Sequence, residues 1–206
     1  MSSGIPDESD TVTNLDRHRK RIHHYHTPGD CHELTFSCYR RQQLLVDNVW
    51  RAWLAKAVDR AMAACSMRLA AFVFMPEHVH MLVCSFEYEV SVPRLLKAIK
   101  QPFSSQVKRA LQRANDDLLD QLTLRERSGK REFRFWQQGP GYDRNLTSPK
   151  ALLASIDYIH SNPVKRGLCF KATDWKWSSA RYYADPVAAI DPDLPMMHGL
   201  DSSHLI

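Results

Sequence analysis

The sequence has no apolar run approaching the roughly 18 residues that a membrane-spanning helix needs. Met1 is followed by polar and acidic residues and not by an apolar signal core, so membrane spanning and secretion are both disfavoured. Cysteine is sparse: Cys31, Cys38, Cys65, Cys84 and Cys169 are odd in number, widely spread and without a CxxC pair. Neither a disulfide framework nor a four-cysteine zinc site is expected, and the chain reads as one suited to a reducing cytoplasm. Internal repeats are lacking as well, which excludes solenoids and propellers. What is present is 206 residues, 44% hydrophobic and 25% charged, enough for one compact core with tails.

The formal net charge of +5 is unevenly placed. Residues 31–113 carry 12 Lys/Arg against 6 Asp/Glu, and residues 134–185 carry 8 against 4, while the remaining stretches are neutral to acidic. Positive charge therefore collects in the two segments that hold the motifs below. A polyanionic partner accounts for that distribution, and ordinary solvated helix faces are the plainer alternative.

Residues 1–29 are polar, basic and histidine-rich, ending beside Pro28 and Gly29, and read as a flexible arm. Residues 30–185 read as the folded domain, and 186–206, with three prolines and an acidic excess, as a loose tail. Within the domain, His32–Arg40 alternates like a strand, and Val49 to Met62 repeats at helical spacing. Leu69–Met75 and His78–Cys84 form a hairpin about Pro76-Glu77, and Val92–Leu111 is a second helix with Pro102 as a kink. Residues 112–133 look like a charged surface excursion. Phe133–Gln138 reads as a short aromatic strand followed by a GPGYDRN loop. Ser148 to about Asn162 is a third helix, capped by Ser148, opened by Pro149 and stopped by Pro163. This order predicts an α+β fold: a ferredoxin-like βαββαβ core with an antiparallel sheet, helices on one face, and an added C-terminal helix.

Two stretches carry chemistry. In FVFMPEHVHMLV, strand alternation puts His78 and His80 on the same side, where two imidazoles can share one divalent metal. A histidine-triad hydrolase would need a third histidine at position 82, which is Leu82. In SIDYIHSNPVKRGL, Tyr158 and Asn162 are four apart and share a helix face. A phenol ionises only near pH ~10, so Tyr158 as a nucleophile needs a cation on the phosphate it attacks. His78 and His80 would hold that cation, with the Asn162 carbonyl oxygen as a third ligand. Tyr39 and Tyr142 are rival tyrosines, but neither has a ligand four residues away on a helix.

Together, MPEHVHML (75–82), FWQQG (135–139), YIHSNPVKRGL (158–168) and WKWSSARYY (175–183) resemble the motifs of the HUH single-strand DNA transposases that use one tyrosine. The likeness is closest to the REP-associated tyrosine transposases and covers roughly residues 32–183. It implies a metal-dependent transposase in which Tyr158 cuts single-stranded DNA near hairpin-forming, REP-like palindromes. The expected products are a 5′-phosphotyrosine link and a free 3′-hydroxyl, which lets strands be rejoined without ATP. Mg²⁺ or Mn²⁺ is the implied cofactor, and the nucleoid the implied location. Glu77 stands where the family usually has Asn, and the 112–133 excursion is long for the family.

Arg40, Arg41, Lys97, Lys100, Lys108, Arg109, Lys165 and Arg166 are candidates to bind DNA phosphates, and Trp136, with Phe135, to stack on an unpaired base. Trp175 and Trp177 read as core. Two rival functions are a domesticated relative that binds hairpins without cutting, and a ferredoxin-like RNA-binding module. The latter lacks the aromatic RNP strands it would use.

Overall fold

The computed structural model describes residues 30–85, 91–126, 128–139, 141–187 and 190–200. The expected basic arm and residues 201–206 lie outside the described residues. Four strands form the main sheet in the spatial order β2-β3-β1-β6, all neighbours antiparallel. They are β1 (Cys31–Ser37), β2 (Met67–Phe74), β3 (His78–Ser85) and β6 (Tyr142–Leu146). Helix α1 (Asn48–Ala64) links β1 to β2, and α2 (Val92–Ala114) follows β3. This is the ferredoxin-like arrangement that the order of elements predicts.

Strands β1, β2 and β3 are largely buried on both faces. Leu34, Phe36, Leu69, Phe72, Phe74, Val79 and Met81 pack against α1 and α2. Ala71, Val73, Leu82 and Cys84 face the other way, onto Leu152, Ile156 and Ile159 of α4 (Pro149–Lys165). A register shift between Leu69 and Ala71 lets Leu69 and Phe72 share a face despite their odd spacing. Burying three such aliphatic side chains stabilises the docked α4 by roughly 1.5–3 kcal/mol each. The added C-terminal helix thus takes the sheet face that α1 and α2 leave open.

Helix α4 starts as its sequence predicts, with the Ser148 hydroxyl accepting the Ala151 N–H at 3.3 Å and Pro149 at the first turn. It does not stop at Pro163, which lies inside the last turn; the end comes at Arg166 and at Gly167, whose φ of +68° is left-handed. Helix α2 likewise continues through Pro102.

The fourth sheet strand is not the aromatic segment Phe133–Gln138 but Tyr142–Leu146, inside the predicted loop. An edge strand needs no apolar run, and YDRNL has none; its residues alternate between exposed and partly buried up to the buried Leu146. Gly141, at φ +84°, is what lets β6 begin there, because a Cβ would run into the Thr35 carbonyl. The 112–133 excursion holds the end of α2, the short α3 (Leu118–Gln121) and a hairpin of β4 (Thr123–Arg125) with β5 (Arg131–Phe133).

Cys31 and Cys84 stand opposite each other in register, 4.1 Å apart at Cα, and are joined by a disulfide. This corrects the expectation of free cysteines: a separation of 53 residues in sequence hides a cross-strand pair. Part of the expected loose tail packs on the body. Leu194 and Met197 lie against the core, and the Met196 N–H donates to Asp59 Oδ1 at 2.8 Å. No helix among the described residues is long and apolar enough to cross a membrane.

The WKWSS segment closes the fold over the outer edge of β2. Phe74 N–H donates to the Trp177 carbonyl and Ser179 N–H to the Phe72 carbonyl. Ser179 Oγ also accepts the Phe72 N–H and lies 2.8 Å from His160 Nε2 of α4. Burial pushes the His160 imidazole down to about 4. Between pH 6.5 and 4 the unfolded chain therefore binds a proton that the folded chain refuses, so stability falls as pH drops through that window. His78 and His80 are shifted in the same direction. Urea midpoints measured across it should decline for the wild type and decline less steeply for His160→Gln; identical slopes would contradict a neutral, buried His160.

Candidate active site

Strand alternation places Glu33, Thr35 and Ser37 of β1, His78 and His80 of β3, and Tyr142 and Arg144 of β6 on the face beneath α4. The register sets them in rows: His80, Thr35 and Tyr142 are neighbours, His78 sits beside Ser37, and Glu33 beside Arg144. Helix α4 roofs this floor with Ala151, Ala154, Ser155, Tyr158 and Asn162, enclosing a cavity of about 660 Å³.

His78 and His80 are both buried, at 8% and 5% exposure. Burial keeps both imidazoles neutral at ordinary pH, pushing His80 down to about 3 and His78 in the same direction. Their Nε2 atoms converge to 2.9 Å. Two nitrogens at right angles on one ion with bonds of ~2.1 Å would be about 3.0 Å apart. Each outer nitrogen meets an oxygen: His80 Nδ1 lies 2.7 Å from Thr35 Oγ1, and His78 Nδ1 3.2 Å from Glu77 Oε1. The residues therefore fit a divalent cation in their donor chemistry and spacing. Among the described residues no three His, Cys, Asp or Glu side chains are grouped for a metal, so a further ligand must be neutral or come from substrate or solvent.

A carboxylate offers no hydrogen, so the 3.2 Å approach of Glu77 Oε1, which lacks hydrogen-bond geometry, favours the Nδ1–H tautomer of His78 electrostatically and leaves its Nε2 as an acceptor. His80 must then donate from Nε2, and its Nδ1 accepts from the Thr35 hydroxyl. Because a hydroxyl can donate or accept, Thr35 can serve either His80 tautomer.

Tyr158 packs against His80. Its ring centroid is 5.4 Å from that of His80, nearly perpendicular, and the side chain is 41% exposed. Asn162, buried on the same helix face, donates from Nδ2 to the Tyr158 carbonyl at 2.8 Å, leaving its Oδ1 as an acceptor at the cavity wall. Lys165 Nζ is 5.2 Å from the Tyr158 ring centroid. Arg166 reaches back from the end of α4 to Glu77, 2.8 Å away. Glu77 thus faces the outer nitrogen of His78 and a basic residue of the tyrosine helix, away from the two converging Nε2 atoms.

Arg41 lines the cavity from the turn after β1, where Arg40 and Arg41 both hold positive φ, +53° and +55°. Backbone strain of this kind in two successive non-glycine residues persists only where the surroundings impose it. Here Arg41 N–H donates to the Cys38 carbonyl, and Arg40 N–H to Gln137 Oε1.

Other predicted contacts fall elsewhere. Lys97, Lys100, Lys108 and Arg109 lie on α2, across the sheet from Tyr158. Lys100 packs over the Phe36 ring at 4.8 Å, and burial draws its ammonium down to about 8. Trp136 and Phe135 are not free to stack on a base. They are 7% and 1% exposed, enclosed by one another and by Phe36 and Phe103. Trp177 is buried and Trp175 partly buried, as read. Sequence reasoning missed Thr35, Ser37, Glu33, Arg144 and Ser155. The alternation of β1 carries the signal for the first three, and Arg144 was hidden in the misread loop.

Residues 30–160 match the family described as "Transposase IS200 like". The chain belongs to the IS200-like transposase family. A REP-associated tyrosine transposase of Haemophilus influenzae is 28% identical over 123 residues, 60% of this chain and 63% of the relative. The chain therefore spans less than two-thirds of that relative's length. The solved structure of a REP-associated tyrosine transposase bound to a REP hairpin shares the fold, with a TM-score of 0.58 at 21% identity over 84% of this chain and 89% of that one.

In this IS200-like transposase the proton assignment is directly measurable. Long-range ¹⁵N–¹H spectra of the metal-free protein should place hydrogen on Nδ1 of His78 and Nε2 of His80. The reverse pair of tautomers would contradict the role given to Glu77.

Proposed function

We propose that the chain cuts and rejoins single-stranded DNA at hairpin-forming, REP-like sequences, with Tyr158 as the covalent nucleophile. The observation that carries this reading is the contact of the Tyr158 ring with the ring of His80, whose Nε2 converges with that of His78. Family membership and the hairpin-bound fold relative support the substrate class.

His78, His80 and Asn162 would hold a divalent ion, which would supply Lewis acidity toward a scissile phosphate. Two imidazoles in the set suit Mn²⁺ better than Mg²⁺, which prefers oxygen. Tyr158 Oη attacks phosphorus, forming a phenolic O–P bond as the P–O3′ bond breaks and the 3′-oxygen leaves as a hydroxyl. Attack by a 3′-hydroxyl on the phosphotyrosine reverses these bonds, so no external energy source is required. Arg41, Lys165 and the half-exposed Arg166 supply positive charge around the phosphate without sequence preference. Glu77 and Thr35 orient the imidazoles, and the main-chain anchor of Asn162 holds its amide.

Incubation with a hairpin-bearing oligonucleotide and Mn²⁺ should give a protein–DNA adduct that survives denaturation. Tyr158→Phe should abolish the adduct and His80→Ala should reduce it by ~100-fold or more. An adduct that persists in Tyr158→Phe refutes the assignment. Hairpin binding with no adduct under any metal would favour the non-cutting relative.

A further inference from the structure

A second cleft, of about 260 Å³, opens between α2 and the segment that runs from β5 to Gln138. Lys97, Lys100, Gln101 and Ser104 recur at helical spacing, so one face of α2 forms its first wall. Residues from Glu132 to Trp136, with Gln138, form the other. Helix α2 packs on the side of the sheet away from Tyr158, so this cleft takes no part in the chemistry assigned to the phenol.

Its charge is one-sided. Glu132 is the one carboxylate that lines it among the described residues, and it lies 3.1 Å from Arg134. No carboxylate pairs with Lys97 or Lys100 among the described residues. Lys100 is half-buried, with its Nζ 4.8 Å from the Phe36 ring centroid and 3.5 Å from the Gly139 carbonyl, a long hydrogen bond. Holding a cation partly out of water without a counter-charge is costly, which is why burial draws its ammonium down to about 8. An anion seated in the cleft relieves that cost. Neutral donors stand beside the two lysines. Gln101 and Ser104 share their helix face, and Gln138 spends its Oε1 on Arg134, which leaves its Nε2 to donate.

We infer that this cleft holds backbone phosphates of the bound DNA, away from the cutting site. The inference rests on the reading that DNA is the partner of the Tyr158 cavity. A phosphodiester brings negative charge and acceptors but no donor, which is what ammonium, amide and hydroxyl groups complement. The guanidinium of the lining is already engaged by carboxylates, so no free fork is left to read a base edge. The contact therefore positions the strand without sequence preference. A basic turn joins the two sites. Arg41 lines the catalytic cavity, the Arg40 N–H donates to Gln137 Oε1, and Gln138 lines the cleft. A strand leaving the cavity past this turn meets positive charge on the way.

The test measures binding and not cutting, with the full chain, no metal, and a hairpin oligonucleotide with single-stranded flanks. Lys97→Gln and Lys100→Gln should each flatten the slope of log affinity against log salt by roughly 0.7–0.9. Lys108→Gln, on the same helix but outside the cleft, should leave the slope unchanged. Methylphosphonates, which remove one phosphate charge at a time, should weaken wild-type binding severalfold at one or two positions. Those losses should vanish in the Lys97→Gln, Lys100→Gln double variant, and the wild-type scan does not depend on how any variant folds. Overturning results are a scan in which wild type and double variant agree at every position, or a slope that Lys108→Gln flattens as much as Lys100→Gln does. Inorganic phosphate, titrated alone, distinguishes a free-anion site: saturable phosphate binding with unchanged DNA slopes overturns the assignment to DNA. Coupling between the lysines and particular phosphates, with no adduct under any metal, upholds the cleft and removes the Tyr158 nucleophile instead.

Discussion

The antiparallel register of β1 against β3 is the constraint on which the site depends. It sets Ser37 beside His78 and Thr35 beside His80, so that both imidazoles lie on one face with an oxygen partner near each outer nitrogen. A slip of one residue would turn both histidines toward α1 and α2, and with them every polar group of the floor. The apolar residues between them forbid that slip. Val79 and Met81 belong to the core on the other side, and the same is true of Leu34 and Phe36 on β1. The disulfide between Cys31 and Cys84 joins the two strands at the far end of the ladder, in the register that the hydrophobic pattern dictates. Core and site are two faces of one pairing.

What the sheet cannot do is deliver the phenol, and that falls to the placement of α4. Leu152, Ile156 and Ile159 fix the helix by its apolar stripe, while Tyr158 and Asn162 occupy the adjoining polar one. Further ties set its position along the sheet. His160 joins Ser179 and through it the backbone of β2, Trp175 Nε1–H donates to the Phe74 carbonyl, and Arg166 pairs with Glu77 of the hairpin turn. The last is the most economical, because Glu77 touches His78 as well as Arg166. The Glu that departs from the family pattern thus links the histidine strand to the tyrosine helix.

Much of this was legible in the sequence, for identifiable reasons. His78 and His80 sit on a continuous apolar hairpin, and α4 carries its own cap and periodicity, so both elements and the faces of their side chains could be read locally. What failed was information that only three dimensions contain. β6 escaped because an edge strand reads YDRNL, without the apolar run that marks a central strand, and Arg144 was lost with it. Trp136 looked like a stacking residue because aromatic identity does not reveal burial. The α2 lysines lie on a helix that was placed correctly, but nothing local says which side of the sheet it covers. Glu33, Thr35 and Ser37 could be assigned to one face of β1; their neighbours could not be known before the register was.

The central claim is that His78, His80 and Tyr158 surround one common cation. Paramagnetic broadening by Mn²⁺ reads this without requiring turnover. Titration of the wild type should broaden the side-chain resonances of all three residues together and saturably, with the effect lost in His80→Ala. Saturable broadening of the two histidines that leaves the Tyr158 ring sharp, or broadening that never saturates, would contradict it.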